Sequence, residues 1–239
     1  MQLTFASYNI HKAVGTDRRR DPLRILAVLR ELNPDIIAVQ EADMRLGDRA
    51  SVIERAALDD TAWRAVPVAR RARSIGWHGN ALLVRRNIEI VASKALDLPS
   101  FEPRGAAFAQ LKVGGAAIEV IGAHLDLSGL RRRAQIRRLI EHSERSLFGP
   151  AAKPGPCVIM GDFNQWGART GAMQEFSRPA QPWHVATPGR SFPSHMPIAR
   201  LDRIAASAVW RIEETGVHHT RLSAVASDHL PIWARLSLA

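Results

Sequence analysis

The first forty residues show three successive patterns of apolar and polar side chains. Residues 2–10 alternate between polar and apolar, which is typical of a strand with one buried face. An apolar stripe at helical spacing then follows Asp21-Pro22 and stops at Asn33-Pro34, which predicts a helix between these signals. Residues 35–41 form a continuous apolar run that ends in Glu41, and this run indicates a buried strand.

The middle of the chain predicts one short helix and several strands. Ser51-Val52-Ile53-Glu54 has the spacing of a capping box, so a helix is expected to begin there. Gly114-Gly115 separates two alternating runs, 106–113 and 116–123, which predicts a β-hairpin. Further strands are expected at 63–68, 80–84 and 88–92.

The second half adds a long helix, three strands and a loop-rich section. A helix is expected over 130–148, and a loop-rich section over 165–200 is expected to surround a substrate entrance. Strands are expected at 156–160, 201–204 and 230–236. Strands alternate with helices early and form hairpins later, which predicts a mixed α/β sandwich with helices covering two sheets packed face to face.

Polar side chains follow the buried strand that begins at Pro156. Gly161 allows the backbone to turn at the end of this strand, and Asp162 and Asn164 follow it two residues apart. In an extended segment these two side chains would share a face, which would suit an anion and its metal. An Asx turn after a strand is the alternative interpretation of the same residues.

The same arrangement recurs at other predicted strand ends. These polar residues are Asn9, Glu41, His124 with Asp126, Asp202, and Asp228 with His229. An oxygen-rich set favours Mg²⁺ or Mn²⁺, whereas zinc would favour more histidine or cysteine. The chain has neither a glycine-rich phosphate loop nor a G-x-S-x-G nucleophile elbow. These observations leave metal-assisted hydrolysis as the reaction class.

Composition bears on partners and compartment. Four of the 33 basic residues are lysines, so 33 − 4 = 29 are arginines, and the formal net charge is +10. This excess favours a polyanionic partner, either nucleic acid or an anionic membrane surface, although biased codon usage is an alternative explanation. The single Cys157 lies in an apolar run and fits a reducing compartment.

The 239 residues contain no obvious linker, no signal-peptide pattern and no apolar run long enough to span a membrane. We therefore expect one domain over residues 1–239, without membrane insertion, in a monomeric cytoplasmic protein. Two arginine clusters, at 70–73 and 131–138, are expected to be solvated or to contact an external phosphate.

Seven short motifs resemble the endonuclease/exonuclease/phosphatase superfamily, which includes DNase I-like nucleases, abasic-site endonucleases, neutral sphingomyelinases and inositol polyphosphate 5-phosphatases. The motifs occur in family order and span nearly the whole chain. They are Ser7-Tyr8-Asn9-Ile10, Val39-Gln40-Glu41, His78-Gly79-Asn80-Ala81, His124-Leu125-Asp126, Gly161-Asp162-Phe163-Asn164, Leu201-Asp202-Arg203-Ile204 and Ser227-Asp228-His229. The resemblance implies a four-layer α/β sandwich with two packed, mostly antiparallel sheets flanked by helices.

The resemblance also implies residue roles. Glu41 would be the main Mg²⁺ ligand with Asn9 beside it, and Asp228 would add a metal or water contact. Asp162, held by Asn164, would orient or deprotonate the attacking water. His229, with its tautomer fixed by Asp202, would contact the phosphate or assist proton transfer, and His124 would donate to a non-bridging oxygen. Asn80, Arg104 and Asp126 would support or contact the substrate.

The resemblance defines the reaction better than the substrate. The expected function is Mg²⁺-dependent phosphodiester hydrolysis, with DNA as the first substrate because of the positive charge. A phospholipid or a small phosphoester is the alternative, supported by the compact chain and the His124-Leu125 pair. The third hypothesis is a binding protein without catalytic activity. It is disfavoured because the chain retains the acidic residue or the histidine at every major position where the family motifs carry one.

Overall fold

A computed structural model describes residues 1–100, 104–146, 155–167, 169–179 and 183–238. The C-terminal end of the helix predicted to reach Phe148 lies outside the described residues. The twelve strands are β1 Gln2–Asn9, β2 Ile36–Gln40, β3 Trp63–Ala65, β4 Ala81–Arg85, β5 Glu89–Asp97, β6 Gly105–Val113, β7 Ala116–His124, β8 Cys157–Asp162, β9 His184–Ala186, β10 Asp202–Ala206, β11 Trp210–Val217 and β12 Ile232–Leu238. The helices are α1 Pro22–Leu32, α2 Arg55–Asp59, α3 Gly129–Ser146 and α4 Ser223–Ala226, with short 3-10 helices at His11–Ala13 and Gly171–Ser177.

Helix α1 begins and ends where its capping signals predicted. The side chain of Asp21 accepts a hydrogen bond of 3.0 Å from the backbone N–H of Arg24, and Pro22 occupies the first turn. Asn33 adopts the left-handed conformation that closes many helices. The sequence therefore fixes both ends of α1 locally.

The strands form two six-stranded sheets with the same internal pattern. The first has the order β11-β12-β1-β2-β4-β3, and the second has the order β5-β6-β7-β8-β10-β9. Each sheet contains one parallel pair at its centre, β1 with β2 and β7 with β8, and its other described pairs are antiparallel. The sheets are therefore mostly antiparallel, as expected.

Three apolar clusters separate four layers. The cluster between the sheets includes Phe5, Leu82, Val120 and Trp210. A second cluster packs α1 on the outer face of the first sheet, and a third packs α3 and the 3-10 helix at Gly171–Ser177 on the outer face of the second. This arrangement confirms the predicted four-layer α/β sandwich. Among the described residues, no helix is long and apolar enough to cross a membrane.

One local prediction is wrong. The Ser51 hydroxyl bonds to the backbone of Ile53 instead of capping a helix, and α2 begins at Arg55 after Glu54. The described part of the section 165–200 is loop-rich, as expected, and its regular elements are the 3-10 helix at Gly171–Ser177 and the three-residue strand β9. Strand β11 was not predicted, because it carries polar side chains without regular alternation on an edge of its sheet.

Candidate active site

The site lies where the central strands of both sheets end. In the second sheet, Asp162 is paired in register with His124 on one side and with Asp202 on the other. In the first sheet, Asn9 is the last residue of β1, and Glu41 directly follows β2. The Asn9 amide donates across the two sheets to Asp162 at 3.1 Å. Predicted site residues from distant parts of the chain therefore meet at one edge of the sandwich.

Asp162 is the centre of this arrangement. Its side chain is 2% exposed and also accepts the backbone N–H of Asn164 at 2.9 Å. The Nε2 atoms of His124 and His229 lie 3.5 and 3.7 Å from its carboxylate. Burial raises the pKa of Asp162, but the two imidazoles and the hydrogen bonds outweigh it and hold the pKa below the ordinary value. The carboxylate is therefore ionised at neutral pH.

His229 is held by a second buried carboxylate. Its Nδ1 lies 2.9 Å from Asp202, which also accepts a hydrogen bond from the hydroxyl of Ser191 at 2.5 Å. Burial lowers the pKa of His229, but Asp202, followed by Asp162 and Asp228, raises it to about 10. The imidazole is consequently protonated at neutral pH, with Nδ1–H directed to Asp202 and Nε2–H on the side of Asp162.

His124 differs from His229 in its charge. Burial lowers its pKa, and Arg104 lowers it further, while Asp162 and Glu41 act in the opposite direction. The net shift is downward, so His124 is neutral at neutral pH. The site therefore combines a neutral imidazole and a charged one on the two sides of a single carboxylate.

Glu41 sits in a strained backbone conformation. Its φ of 55° lies in the left-handed region, which non-glycine residues seldom adopt. Its carboxylate contacts the ammonium group of Lys12. Burial raises the pKa of Glu41, but the hydrogen bond and charge of Lys12, with smaller effects from His124 and His11, lower it below the ordinary value. Glu41 is thus an ionised, half-buried carboxylate whose negative charge is balanced by the ammonium group of Lys12.

A divalent cation fits the donor set around Glu41. Carboxylate and amide oxygens are the ligands that Mg²⁺ and Mn²⁺ prefer. Asn9, whose Oδ1 accepts the His11 N–H at 3.1 Å, pairs in register with Gln40, and Glu41 is the next residue after that pair. Asp162, Asp202 and His229 also place ligand atoms within 4.8 Å of one another. We favour Glu41, because His229 Nδ1 and the Asp202 carboxylate already bond to each other at 2.9 Å.

Of the remaining predicted residues, two lie beside the site and two make hydrogen bonds within neighbouring loops. Asp228 is partly exposed with a carboxylate oxygen 3.9 Å from His11 Nδ1, and Arg104 lines the cavity beside His124. Asn80 is fully buried and donates to the carbonyl oxygen of Gly105 at 2.9 Å, and Asp126 accepts the N–H of Ser128 at 2.8 Å. The contacts of Asn80 and Asp126 position loops, while their proposed contact with substrate stays a prediction.

The expected relation between Asp162 and Asn164 is wrong in its geometry. Asn164 has a φ of 50°, so the segment is not extended, and its N–H closes an Asx turn onto Asp162. Its side-chain amide donates to the carbonyl oxygen of Leu125 at 2.9 Å. Asn164 therefore joins the loop after β8 to the loop after β7 and fixes Asp162 through the backbone.

Sequence reasoning missed two residues of the site, Lys12 and Ser191. Lys12 lies three positions after Asn9. The sequence signal that could have identified it is the choice of lysine, because the chain has 29 arginines and only four lysines. Ser191 was not predicted as a site residue, and it reaches Asp202 from a loop eleven residues away.

Several clustered arginines have partners within the protein. Arg132 donates to the carbonyl oxygens of Asp126 and Leu127 at the start of α3, and Arg137 pairs with the buried Glu175 at 3.4 Å. Arg70 stacks on the ring of Trp77 at 4.2 Å. An external phosphate is therefore not needed to explain these arginines.

A mostly antiparallel four-layer sandwich with carboxylates, an amide and two histidines at the strand ends defines a class of hydrolases that act on phosphoesters. The model of the Endonuclease/Exonuclease/phosphatase family matches residues 6–229, and the chain belongs to that family. Family membership supports a phosphoester hydrolase as the coarse function.

Known proteins similar to the chain include one relative without an assigned function. The uncharacterized protein YbhP of Escherichia coli is 29% identical, over 96% of this chain and 94% of its own length. The mannosyl-6-phosphatase Bt3783 of Bacteroides thetaiotaomicron has a TM-score of 0.72 at 20% identity, covering 99% of this chain and all of that one. TDP2 of D. rerio, complexed with a single-strand DNA product, has a TM-score of 0.70 at 15% identity, covering 99% of each chain. At these identities the two structures support the fold alone.

Proposed function

We propose that the protein is a divalent-metal-dependent phosphodiesterase that cleaves nucleic acid. The observation that carries the proposal is the buried carboxylate of Asp162, which Asn9 holds at 3.1 Å while His124 and His229 face it at 3.5 and 3.7 Å. An ionised carboxylate beside two donors can hold an attacking water while the donors receive a phosphate oxygen.

Each side chain has a distinct task in this proposal. Asp162 accepts a hydrogen bond from the attacking water and thereby aims the lone pair of the water oxygen at phosphorus; the low pKa of Asp162 favours this orienting role over full deprotonation. His229 offers a positive N–H to the phosphate, and Asp202 keeps the imidazole oriented. His124 donates as a neutral imidazole to a non-bridging oxygen, a contribution on the order of 3 kcal/mol by analogy with other oxyanion donors.

The metal would be held by Glu41, with Asn9 beside it and Asp228 as a further ligand. When bound, Mg²⁺ or Mn²⁺ would supply a Lewis acid for the phosphoryl oxygen and charge stabilisation for the leaving oxygen. Lys12 contacts Glu41, so its ammonium group must leave when a cation binds there.

Charge around the site supports nucleic acid as the substrate. The net charge is +10, and Lys12, Arg45, Arg49 and Arg104 line the cavity next to Glu41 and His124. Positively charged clefts concentrate polyanions and speed their association. The similar fold of TDP2 has been seen with a single-strand DNA product.

The proposal is tested with one end-labelled DNA duplex carrying a single abasic-site analogue, incubated with Mg²⁺ and, separately, with a chelator. We expect Mg²⁺-dependent cleavage, and a loss of at least about 100-fold for Asp162→Asn and for His229→Ala. Arg211→Gln, which changes the charge by the same amount as His229→Ala in its protonated state but lies on β11, is the control.

The cleavage pattern separates the possible outcomes. Cleavage confined to the abasic position supports a repair endonuclease, and scattered cleavage supports a general nuclease. An intact duplex, under conditions where calorimetry shows that the protein binds Mg²⁺, contradicts duplex DNA as the substrate, and an intact single strand under the same conditions contradicts DNA as the substrate. Equal rates for the parent and both site variants contradict the residue roles.

A phospholipid is the second candidate substrate, and one observation favours it. Four large apolar side chains, three in loops that follow the site-bearing strands and one in the first turn of α3, are between 64% and 84% exposed. They are Leu46, Leu127, Leu130 and Trp166. Exposed apolar side chains beside basic ones suit a membrane surface. Release of headgroup from liposomes that contain sphingomyelin or phosphatidylinositol phosphates, with Mg²⁺ and no DNA cleavage, would support this candidate.

A further inference from the structure

A cavity of about 130 Å³ opens beside the proposed catalytic residues. We call its basic lining the cationic pocket. It consists of Lys12, Arg45, Arg49, His78 and Arg104. Glu41 and His124 line the same cavity, so a group bound there would lie next to the scissile phosphate.

The cavity has an excess of positive charge. Lys12 and three arginines face two carboxylates, Glu41 and Asp43. Both carboxylates already have partners: Glu41 contacts Lys12, and Asp43 accepts hydrogen bonds from the Ser74 hydroxyl at 2.5 Å and the Ile75 N–H at 3.2 Å. Cations gathered in a cleft repel one another, so an anion placed among them would be stabilised.

Backbone strain is concentrated in the same cavity. Nine non-glycine residues in the described part of the chain have positive φ, and four of them line it. These are Lys12 at 54°, Glu41 at 55°, Arg49 at 48° and His78 at 49°. Such conformations are unfavourable for non-glycine residues and are typical of functional sites. Their concentration beside one cavity indicates that these side chains are held in place for binding.

The walls of the cavity are joined by backbone hydrogen bonds. The N–H of Ala42 donates to Gly79 at 2.9 Å, and that of Met44 donates to Ala50 at 2.8 Å. The side chain of Asp43 ties the same loop to residues 74 and 75. A pocket with fixed walls presents its donors at low entropic cost.

His78 adds a neutral donor to the cations. Its Nδ1 contacts the guanidinium group of Arg49 at 2.5 Å. Arginine has no acceptor and stays protonated, so Nδ1 must carry the lone pair and Nε2 must carry the hydrogen. The pocket therefore combines guanidinium forks with an imidazole N–H, a set that matches the oxygens of a phosphate group.

We propose that the cationic pocket binds a second phosphate group of the substrate, distinct from the one that is hydrolysed. This inference rests on the proposed phosphodiesterase function and deepens it. The second group is either the terminal phosphate of a nucleic acid strand or a further phosphate on a small molecule or lipid headgroup. The preferred substrate accordingly carries a phosphomonoester close to the scissile bond.

Matched substrates with Mg²⁺ test the inference and identify the source. The dinucleotide TpT is compared with pTpT and TpTp, and glycerophosphoinositol is compared with its 4-phosphate. We expect the added phosphate to raise kcat/KM at least about tenfold in one of the two arms, mainly through KM. The arm in which this happens identifies the source of the phosphate.

Substitutions in the pocket should remove this preference. In Arg49→Gln and in Arg45→Gln, the kcat/KM ratio of phosphorylated to unphosphorylated substrate should fall towards one, and Arg49→Lys should restore part of it. Arg211→Gln should keep the parental ratio. Arg45 is exposed, so its variant tests the pocket even if Arg49→Gln proves unstable in a thermal melt.

Calorimetry with inorganic phosphate and metal-free protein gives a readout that does not depend on turnover. Phosphate should bind the parent and Arg211→Gln alike, and at least about tenfold more weakly to Arg49→Gln. Equal phosphate binding by the parent and Arg49→Gln, or diester hydrolysis without any preference for the added phosphate, would overturn the inference and leave the phosphodiesterase proposal standing. Absence of hydrolysis of every diester would instead contradict the proposed function, while calorimetry still decides whether the pocket binds phosphate.

Discussion

Individual residues at this site have charges that depend on one another. His229 is positive because Asp202 and Asp162 lie beside it, and Asp162 is negative partly because His229 and His124 lie beside it. His124, at a similar distance from Asp162, is neutral because burial and Arg104 prevail. Two histidines beside one carboxylate thus differ in charge because His229 also contacts the second carboxylate, Asp202.

The raised pKa of His229 gives a pH-dependent stability. A folded pKa of about 10, above the ordinary 6.5, means that His229 stabilises the fold fully below pH 6.5, and that this stabilisation is lost as the pH rises through about 10. The contribution is on the order of a few kcal/mol. Urea unfolding of the parent and of His229→Gln should therefore show a difference in unfolding free energy that shrinks between pH 6.5 and 10. A difference that stays constant over this range would contradict the protonated imidazole.

Replacing Lys12 should raise the affinity of the site for a divalent cation. Its ammonium group contacts Glu41 and must be displaced by a cation that binds there. Lys12→Gln should therefore bind Mg²⁺ about five- to tenfold more tightly by calorimetry, which corresponds to a partly buried ion pair of about 1 kcal/mol. Glu41→Gln should lose binding, and weaker binding by Lys12→Gln would show that Lys12 does not compete with the metal.

The sequence predicts site residues where residue type and strand position coincide. Asn9, Glu41, His124 and Asp162 each follow a run of strand-forming residues, which brings them to one edge of the sandwich. Lys12 and Ser191 enter the site from loops, and their contacts depend on backbone conformations, such as the left-handed turn at Lys12, that the sequence does not specify. The charges of the histidines also depend on distances that only the folded chain defines.

At the scale of single strands, Gly161 determines how closely β7 and β8 pair. A methyl group at this position would lie 1.8 Å from the carbonyl oxygen of Ala123, much closer than two non-bonded atoms can approach. The next residue on β8 is Asp162, and the next on β7 is His124, so this close pairing also sets the distance between two residues of the site.

Gly161→Ala should consequently harm both stability and catalysis. The added methyl group forces strands β7 and β8 apart. We expect the free energy of unfolding to fall by about 2–3 kcal/mol and the phosphodiesterase activity to fall at least tenfold. Gly114→Ala is the control, because this glycine also has a positive φ, 55° against 156° at Gly161, while no atom lies within 4 Å of the added group. Denaturant unfolding and initial rates measure the two effects. Equal losses in both variants would mean that backbone strain alone, without the steric contact, explains the result.

Elements with local signals were predicted well. The hairpin of β6 and β7 has glycines with φ of 55° and 85° at its turn, and α1 has both of its caps. The edge strand β11 was missed because its exposed face bears charged side chains, and β9 was missed because three residues carry too little pattern. Ser51 and Glu54 have the spacing of a capping box, but the helix begins only at Arg55, so the motif does not cap it.

At the scale of the whole molecule, the two sheets repeat one arrangement. Among the described strands, each sheet has one parallel pair, at its centre, and the carboxyl ends of these pairs carry Asn9, Glu41, His124 and Asp162. The sequence indicated sheets packed face to face but not their strand order, because pairing between distant strands leaves no local pattern.

The positive charge of the whole chain predicts salt-sensitive binding to nucleic acid. For Asp162→Asn with Mg²⁺, a single-stranded oligonucleotide should bind with an affinity that falls linearly in a log–log plot against salt concentration, with a slope of about −0.7 per phosphate contacted. Arg49→Gln should reduce the slope by about one contact, and Arg211→Gln should leave it unchanged. Binding that is insensitive to salt would contradict nucleic acid as the partner.

The hydrogen bond from Asn9 to Asp162 crosses from one sheet to the other. The apolar side chains between the sheets therefore hold the two halves of the site in register, although they lie far from any substrate. A cavity made in that layer, as in Leu82→Ala, should consequently lower turnover as well as stability.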